Sequence, residues 1–403
     1  MAQDFVGSNN VNLLVPSGQF GTRLEGGADA ASPRYIFTQL SSVARYLFPE
    51  IDDILLIQRE DDGQLIEPEF YCPVIPLLLV NGTQGIGTGW STFVPPHDAI
   101  SVLDYVRAKL DNENSLPSIR PFARGFTGTI ELKETGGGYQ SIGRAHRVDE
   151  RTVLIDELPI GCWTNSYKEV LLKMRDAGTI QDVLENHTTS KVSFTVRMNV
   201  AQLNRLERAG LEKSFRLVAN LPTSNMHAFD ASCTIRKFDS AESVVDAFFP
   251  IRLELYNDRK SVLESESKHA ATMFRNRARF IEAVTTGKID LISGRKSKND
   301  TAAALSAMGF ATAADLTAVR NNNVVWERRQ GLDLVPTESD DDKPSDSSYD
   351  YLLSMPLYSL TSEKILEQEN QAEKKEAELK NIIETTAKDL WRNDLDRLAS
   401  LLL

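Results

Sequence analysis

Near Phe238 the apolar pattern of this chain changes its period, and that change limits the fold more than any other feature. Upstream, short alternating runs are broken by glycine turns: Gly128-Thr129-Ile130-Glu131-Leu132, the Gly136-Gly137-Gly138 tip, then Arg151-Thr152-Val153-Leu154-Ile155. Such runs read as strands of a β-rich lobe. Downstream, Ser240 to Phe249 and then Leu253, Leu255, Val262 and onward to Val284 repeat at helical spacing. Pro250 is predicted in the first turn of the second of these helices. A chain holding both periods over 403 residues is predicted to be α/β with two to four modules.

The end of the chain is helical too. Ile365, Ala372 and Leu379 stand at heptad spacing, with Ile383 and Leu390 on the adjoining seam position. So sparse a seam does not make a free-standing coiled coil. It fits a return helix, capped by Thr361, lying antiparallel on the Leu253–Val284 helix. Before it, Glu338, Asp340, Asp341, Asp342, Asp346 and Asp350 crowd a Ser- and Pro-containing stretch that reads as a solvated linker. This stretch holds part of the net charge of −12, which argues against a simple nucleic-acid coat. Residues 1–48 are neutral, and Leu263 to Asp300 has eight basic against five acidic residues, so a local nucleic-acid face is compatible with the total. No apolar run reaches the ~18 residues a membrane span needs. Cys72, Cys162 and Cys233 lie far apart, make no metal spacing, and are expected as small core residues.

Three stretches carry chemistry. In Ser32-Pro33-Arg34-Tyr35, Pro33 suits a first helical turn and Ser32 an N-cap, placing Arg34 and Tyr35 where backbone N–H groups favour an anion. Arg offers a planar fork to phosphate. Tyr can attack it, although at a pKa of about 10 only roughly one in a thousand is phenolate at neutral pH. The plainer reading is an exposed ion-pairing Arg beside a half-buried Tyr. In Pro76-Leu77-Leu78-Leu79-Val80-Asn81-Gly82-Thr83-Gln84-Gly85-Ile86-Gly87-Thr88-Gly89-Trp90 an apolar strand is predicted to enter a glycine loop. Ile86 has glycine on both sides, so it either folds back into the core or stands out as a wedge. Arg275, Asn276, Arg277 and Arg279 make a basic cluster, read as a solvated face or as phosphate contacts. Elsewhere, Thr38–Leu47 is predicted as an amphipathic helix, Ile54–Ile57 as strand, Glu60-Asp61-Asp62-Gly63 as a hairpin turn, and helices over Ser101–Leu110 and from Thr164. None of the five His has a spaced metal partner. Asp340 and Asp342 have an Asp-x-Asp spacing but sit in the acidic stretch.

Gly18-Gln19-Phe20-Gly21-Thr22-Arg23, followed by Gly26-Gly27-Ala28-Asp29-Ala30-Ala31-Ser32-Pro33-Arg34-Tyr35, resembles the active-site segment of eukaryotic type IIA DNA topoisomerases. The resemblance runs in family order over essentially the whole chain. It implies an α/β multidomain fold: the end of a winged-helix domain with the catalytic Tyr (1–48), a mixed α/β tower (49–237), an outgoing coiled-coil arm (238–290), a terminal dimer gate with the acidic linker (291–360) and a return helical arm (361–403). It implies transient double-strand cleavage through a 5′-phosphotyrosyl link, with Tyr35 as nucleophile and Arg34 stabilising the transition state. Ile86 becomes the wedge that bends the duplex, and Arg23, Arg275, Asn276 and Arg277 become DNA contacts. Double-stranded DNA and a second copy of the chain are the implied partners, with the nucleus as location. Mg2+ and ATP belong to the full-length family enzyme and are bound by modules absent from this chain, so the fragment alone is expected to be inactive. Met1 is expected to fall inside the winged-helix motif. Two positions depart from the family: Ala28, where Lys is frequent, and Tyr358, where many members have Trp. The alternative is a catalytically silent DNA-bending or dimerisation protein of the same origin.

Overall fold

The computed structural model describes residues 1–134, 136–230, 232–289, 298–323, 325, 349–356 and 360–402. They fall into two compact units: Met1–Glu50 with Cys72–Arg252 and Arg392–Leu403, and Ile51–Tyr71 with Leu253–Trp391. The acidic stretch up to residue 348, Arg295, Lys296 and Tyr358 lie outside the described residues.

In the first unit, β1 (Leu14–Ser17) pairs antiparallel with β2 (Phe37–Leu40), so that Leu14 faces Leu40 and Ser17 faces Phe37. This pairing replaces most of the helix predicted over Thr38–Leu47, of which only Ala44–Leu47 is helical. The edge of β1 takes the backbone bonds that a helix would have made internally.

The second departure from expectation lies at Pro76–Val80. Leu77–Asn81 is a short helix, not a strand. Gly82 ends it at φ +66, and a Cβ there would lie 2.6 Å from the Val94 carbonyl oxygen, so no larger residue fits. The chain then forms a hairpin of β5 (Thr83–Gly87) and β6 (Trp90–Val94).

After the Ala99–Leu110 helix come two sheets. One has the order β13-β8-β7, built from β7 (Thr129–Leu132), β8 (Gly138–Ile142) and β13 (Val218–Pro222). The other has the order β11-β12-β10-β9, from β9 (Arg144–Arg147), β10 (Thr152–Glu157), β11 (Asp182–Glu185) and β12 (Phe194–Arg197). Strict alternation along β10 buries Val153, Ile155 and Glu157. The two apolar ones join Phe194, Val196, and Tyr167 and Leu171 of the Thr164–Asp176 helix in one core. The Tyr167 hydroxyl is satisfied there by donating to the Phe215 carbonyl at 2.8 Å, and burial pushes its pKa far up. A last hairpin, β14 (Met226–Phe229) with β15 (Ile235–Phe238), precedes the long helix.

That helix runs unbroken over 45 residues, Ala241–Thr285, with Pro250 inside it. The predicted break is therefore absent. The ring removes one backbone bond, but side chains just before it are held: Lys109 pairs with Asp246 and lies 5.3 Å from the Phe249 ring centroid.

In the second unit, Ile51–Leu55 belongs to a 3₁₀ helix instead of a predicted strand. The predicted hairpin is present: β3 (Gln58–Asp61) and β4 (Gln64–Pro68) flank Asp62 at φ +48 and Gly63 at φ +76, the signs a tight two-residue hairpin turn needs. Asp52 takes a bidentate pair from Arg259, at 2.6 and 2.7 Å. Arg259 in turn lies over Tyr256, which stacks on Trp391 at 5.4 Å. A second core joins Phe280, Ala283, Leu305, Phe310, Tyr349 and Leu352. Thr361 caps the Ser362–Glu384 helix, as its position predicts. This helix runs antiparallel to Leu253–Thr285: Lys260 donates to the Ile383 carbonyl at 3.0 Å, and Arg275 Nε to Glu376 at 3.2 Å. Ala372 is buried on the seam while Ile383 is exposed, and the helix stops at Glu384 before a separate one, Ala387–Leu402.

Candidate active site

Pro33-Arg34-Tyr35 forms a single 3₁₀ turn. Ser32 precedes it with extended ψ but makes no side-chain cap, and Ile36 is already extended. The predicted first turn of a longer helix is thus shortened by the start of β2, and a three-residue turn has little dipole to offer an anion. What remains is the side-chain pair. Tyr35 is 67% exposed. The Arg34 guanidinium carbon lies 5.0 Å from its ring centroid, and Arg34 has no carboxylate partner among the described residues. An exposed, unneutralised guanidinium beside an exposed phenol is equipped to take a phosphate.

The loop before this pair is tied down residue by residue. Thr22 donates to Asp29 through its backbone N–H at 2.8 Å and its hydroxyl at 2.6 Å. Burial pulls the Asp29 pKa up, but these Thr22 bonds outweigh it and hold the carboxyl below its ordinary value. Ala31 N–H donates to the Gln19 carbonyl at 2.9 Å. Gly26, at φ +63, lies flat on Trp163, where a Cβ would come within 2.2 Å of the indole nitrogen.

Arg23, within this loop, is only 4% exposed. It pairs with Glu157 and donates to the Leu158 carbonyl at 3.2 Å. Glu157 also accepts from the Thr127 N–H at 3.0 Å, the Thr127 hydroxyl at 2.8 Å and the Leu158 N–H at 2.9 Å. The expectation that Arg23 contacts DNA is therefore corrected. Its charge is spent inside the protein, joining the loop to β10. Asn10 has a similar structural task. Its Nδ2 donates to the carbonyls of Val80 and Phe122 at 2.8 and 2.9 Å, and its Oδ1 accepts from Arg124 N–H at 2.8 Å.

Ile86 stands on β5 opposite Ser91, one step from the hairpin end. It has glycine on both sides and is 90% exposed. The fold-back alternative is thereby removed. Tyr35 and Ile86 belong to the same compact unit.

The basic cluster divides. Asn276 is 4% exposed and donates to the Tyr351 hydroxyl at 3.1 Å, which donates on to the Ala311 carbonyl at 2.7 Å. Its assignment as a DNA contact is corrected: it is a core polar group. Arg275 is half in solvent but paired with Glu376. Arg279 donates to the Met308 carbonyl at 2.9 Å and lies over Phe310 at 4.6 Å. Arg277 is half-buried, with an Nε that is buried and has no hydrogen-bond partner among the described residues. Cys233 is exposed, contrary to the expectation of a core residue, while Cys72 and Cys162 are half-buried. Among the described residues no group of three or more His, Cys, Asp and Glu is placed to hold a metal ion. No helix among them is long and apolar enough to cross a membrane.

Comparison with known proteins identifies the family and the fold. The mixed α/β fold matches that of the Plasmodium falciparum topoisomerase II DNA-binding, cleavage and re-ligation domain, with a TM-score of 0.84 and 35% identity, covering 100% of this chain and 54% of that one. DNA topoisomerase 2 of Arabidopsis thaliana is 40% identical over 412 residues, 99% of this chain and 28% of its own length. DNA topoisomerase 2-beta of Homo sapiens is 40% identical over 407 residues, 98% of this chain and 24% of its own length. The chain thus spans about a quarter of these curated relatives. Residues 1–396 match the family of DNA gyrase/topoisomerase IV A-type subunits. The chain belongs to that family, and its likeness within it is to eukaryotic DNA topoisomerase 2.

Proposed function

We propose that this chain is the nucleophile-bearing part of a type II DNA topoisomerase, acting on double-stranded DNA as a two-fold symmetric dimer in the nucleus. The observation that carries this reading is the exposed Arg34–Tyr35 pair with no carboxylate quenching the cation among the described residues. The Tyr35 oxygen attacks a backbone phosphorus and the bond from phosphorus to the 3′ oxygen breaks. The phenolic proton departs, a 3′ hydroxyl is left, and the 5′ end stays on Tyr35. Attack by that hydroxyl reverses the step and reseals the strand. Arg34 stabilises the charge that builds on the non-bridging oxygens. Ile86 unstacks one base step, and the bend this allows, costing several kcal/mol, roughly, is offset by wider contact. Two copies of Tyr35 cut opposite strands.

In this reading residues 1–48, 49–237, 238–290, 291–360 and 361–403 are the winged-helix end, tower, outgoing arm, dimer gate and return arm. The antiparallel contacts of Lys260 and Arg275 with the Ser362–Glu384 helix support the two arms, and the Phe280–Leu352 core supports a packed gate base. Mg2+ and ATP act through other modules of the full-length enzyme. The test mixes the chain with a metal-binding fragment of a type II topoisomerase, Mg2+ and duplex DNA, then denatures it. A covalent protein–DNA adduct is expected from the parent and none from Tyr35→Phe. Equal adduct from both overturns the assignment. A chain that bends DNA and never forms adduct under these conditions is the silent alternative.

A further inference from the structure

The hairpin that carries Ile86 has few side-chain pairs of its own near the tip. Side chains alternate along a strand, so Ile86 and Ser91 share one face. The pairs Gly85–Thr92 and Gly87–Trp90 occupy the other. Thr83 and Val94 pair at the base of that second face, but toward the tip Thr92 and Trp90 meet only glycine, so there the hairpin lacks the cross-strand side-chain pairs that steady an antiparallel ribbon. A two-stranded hairpin of this kind is marginal alone, yet a wedge must hold its position while a duplex pushes back.

The missing support comes from Asn225 to His227, at the start of β14. The Thr92 hydroxyl donates to the His227 carbonyl at 2.7 Å and accepts from the His227 N–H at 3.1 Å. Phe93 N–H donates to the Asn225 carbonyl at 2.9 Å, and Asn225 Nδ2 donates to the Ser91 hydroxyl at 3.0 Å. Trp90 meets the His227 ring edge-on, with centroids 5.5 Å apart. The His227 Nδ1 is buried with no hydrogen-bond partner among the described residues, so that edge of the ring is held by packing. One hydroxyl thus closes a two-way bridge, and one indole rests edge-on against the His227 ring beside it.

We propose that Thr92, Trp90 and the Asn225–His227 segment form a brace that fixes the Ile86 wedge, making Thr92 and His227 positioning residues for DNA bending. This rests on the wedge role given to Ile86 above. The test measures end-to-end energy transfer on a duplex carrying a dye at each end, together with its affinity for the full chain. Four variants are compared with the parent: Ile86→Ala, Thr92→Val, Thr92→Ser and the Ile86→Ala/Thr92→Val double. Thr92→Val keeps the shape and removes the hydroxyl, whereas Thr92→Ser keeps the hydroxyl. Thr92→Val is expected to lose most of the bending while its Kd changes by no more than about twofold, the range of an ordinary surface substitution. Thr92→Ser is expected to bend as the parent does, and the double variant no less than Ile86→Ala alone. Should Thr92→Val not fold, Asn225→Ala replaces it with the same expectation. Parental bending by Thr92→Val or its replacement, with Ile86→Ala impaired, overturns the brace and leaves the wedge. A double variant clearly worse than Ile86→Ala also overturns it, since Thr92 then acts other than through Ile86. Parental bending by Ile86→Ala overturns the wedge itself, and the brace with it.

Discussion

Arg34 holds its guanidinium carbon 5.0 Å from the ring centroid of Tyr35, its neighbour in the chain. Because neither side chain is sealed in the interior, the pair is available to a phosphate without rearranging the core. Arg34→Ala is expected to lower the rate of adduct formation about 100- to 1,000-fold, the size of effect seen when one preorganised transition-state donor is removed. Lysine at this position keeps the charge but not the planar fork, so Arg34→Lys is expected to fall between. Timed quenching with detergent in the presence of the metal-binding fragment reads this directly.

Arg23 and Glu157 form a buried pair, so removing one partner leaves a charge without compensation. Glu157→Ala is expected to destabilise the chain by about 3–5 kcal/mol. Denaturant unfolding followed by tryptophan fluorescence checks it. Exposed Arg275 and Glu376 supply the contrast: breaking that pair is expected to cost less than about 1 kcal/mol.

Asn276 tests the reassignment of the basic cluster. Asn276→Ala removes the amide that donates to the half-buried Tyr351 hydroxyl, at an expected cost of about 0.5–1.5 kcal/mol. DNA affinity measured where the variant is fully folded is expected to stay at the parental value. A weaker affinity without loss of stability would restore the phosphate-contact reading.

His97 is 2% exposed, and its Nδ1 lies 3.2 Å from the Leu79 carbonyl oxygen. Burial chiefly lowers its pKa, overriding that hydrogen bond and the nearby Glu242. The folded state therefore keeps this imidazole neutral at a pH where the unfolded chain has bound a proton. Its contribution is complete above the ordinary value of about 6.5 and is lost as pH falls from there through the lowered folded value. Stability is expected to decline by up to about 1.4 kcal/mol per pH unit over that window. His97→Gln should flatten the slope in denaturant titrations between neutral and mildly acid pH.

Much of the candidate site was legible because its signals are local. Proline, arginine and tyrosine in sequence, and an isoleucine between glycines, carry their meaning within a few residues, and both Tyr35 and Ile86 do reach solvent. The Asp62-Gly63 turn and the Thr361 cap were local in the same way. Burial of Arg23 was not, since its partner is 134 residues away. Asn276 had a readable signal that the charges around it masked: it shares a helical face with Phe280 and Ala283, both buried. The Leu77–Asn81 helix was misread because a short apolar run has no period of its own, although Pro76 before it and Gly82 after it bracket a helix. Pro250 illustrates the reverse: local chemistry predicted a break, and the helix runs on through the ring with the side chains just before it held.

The most direct measurement is the site of the covalent link. The chain is joined to a metal-binding module, allowed to cleave a duplex, denatured, trimmed with nuclease and protease, and analysed by mass spectrometry. The nucleotide remnant is expected on the peptide containing Tyr35, attached through a 5′ phosphate to its phenol. A remnant on any other residue, or a 3′ linkage at Tyr35, would contradict the mechanism.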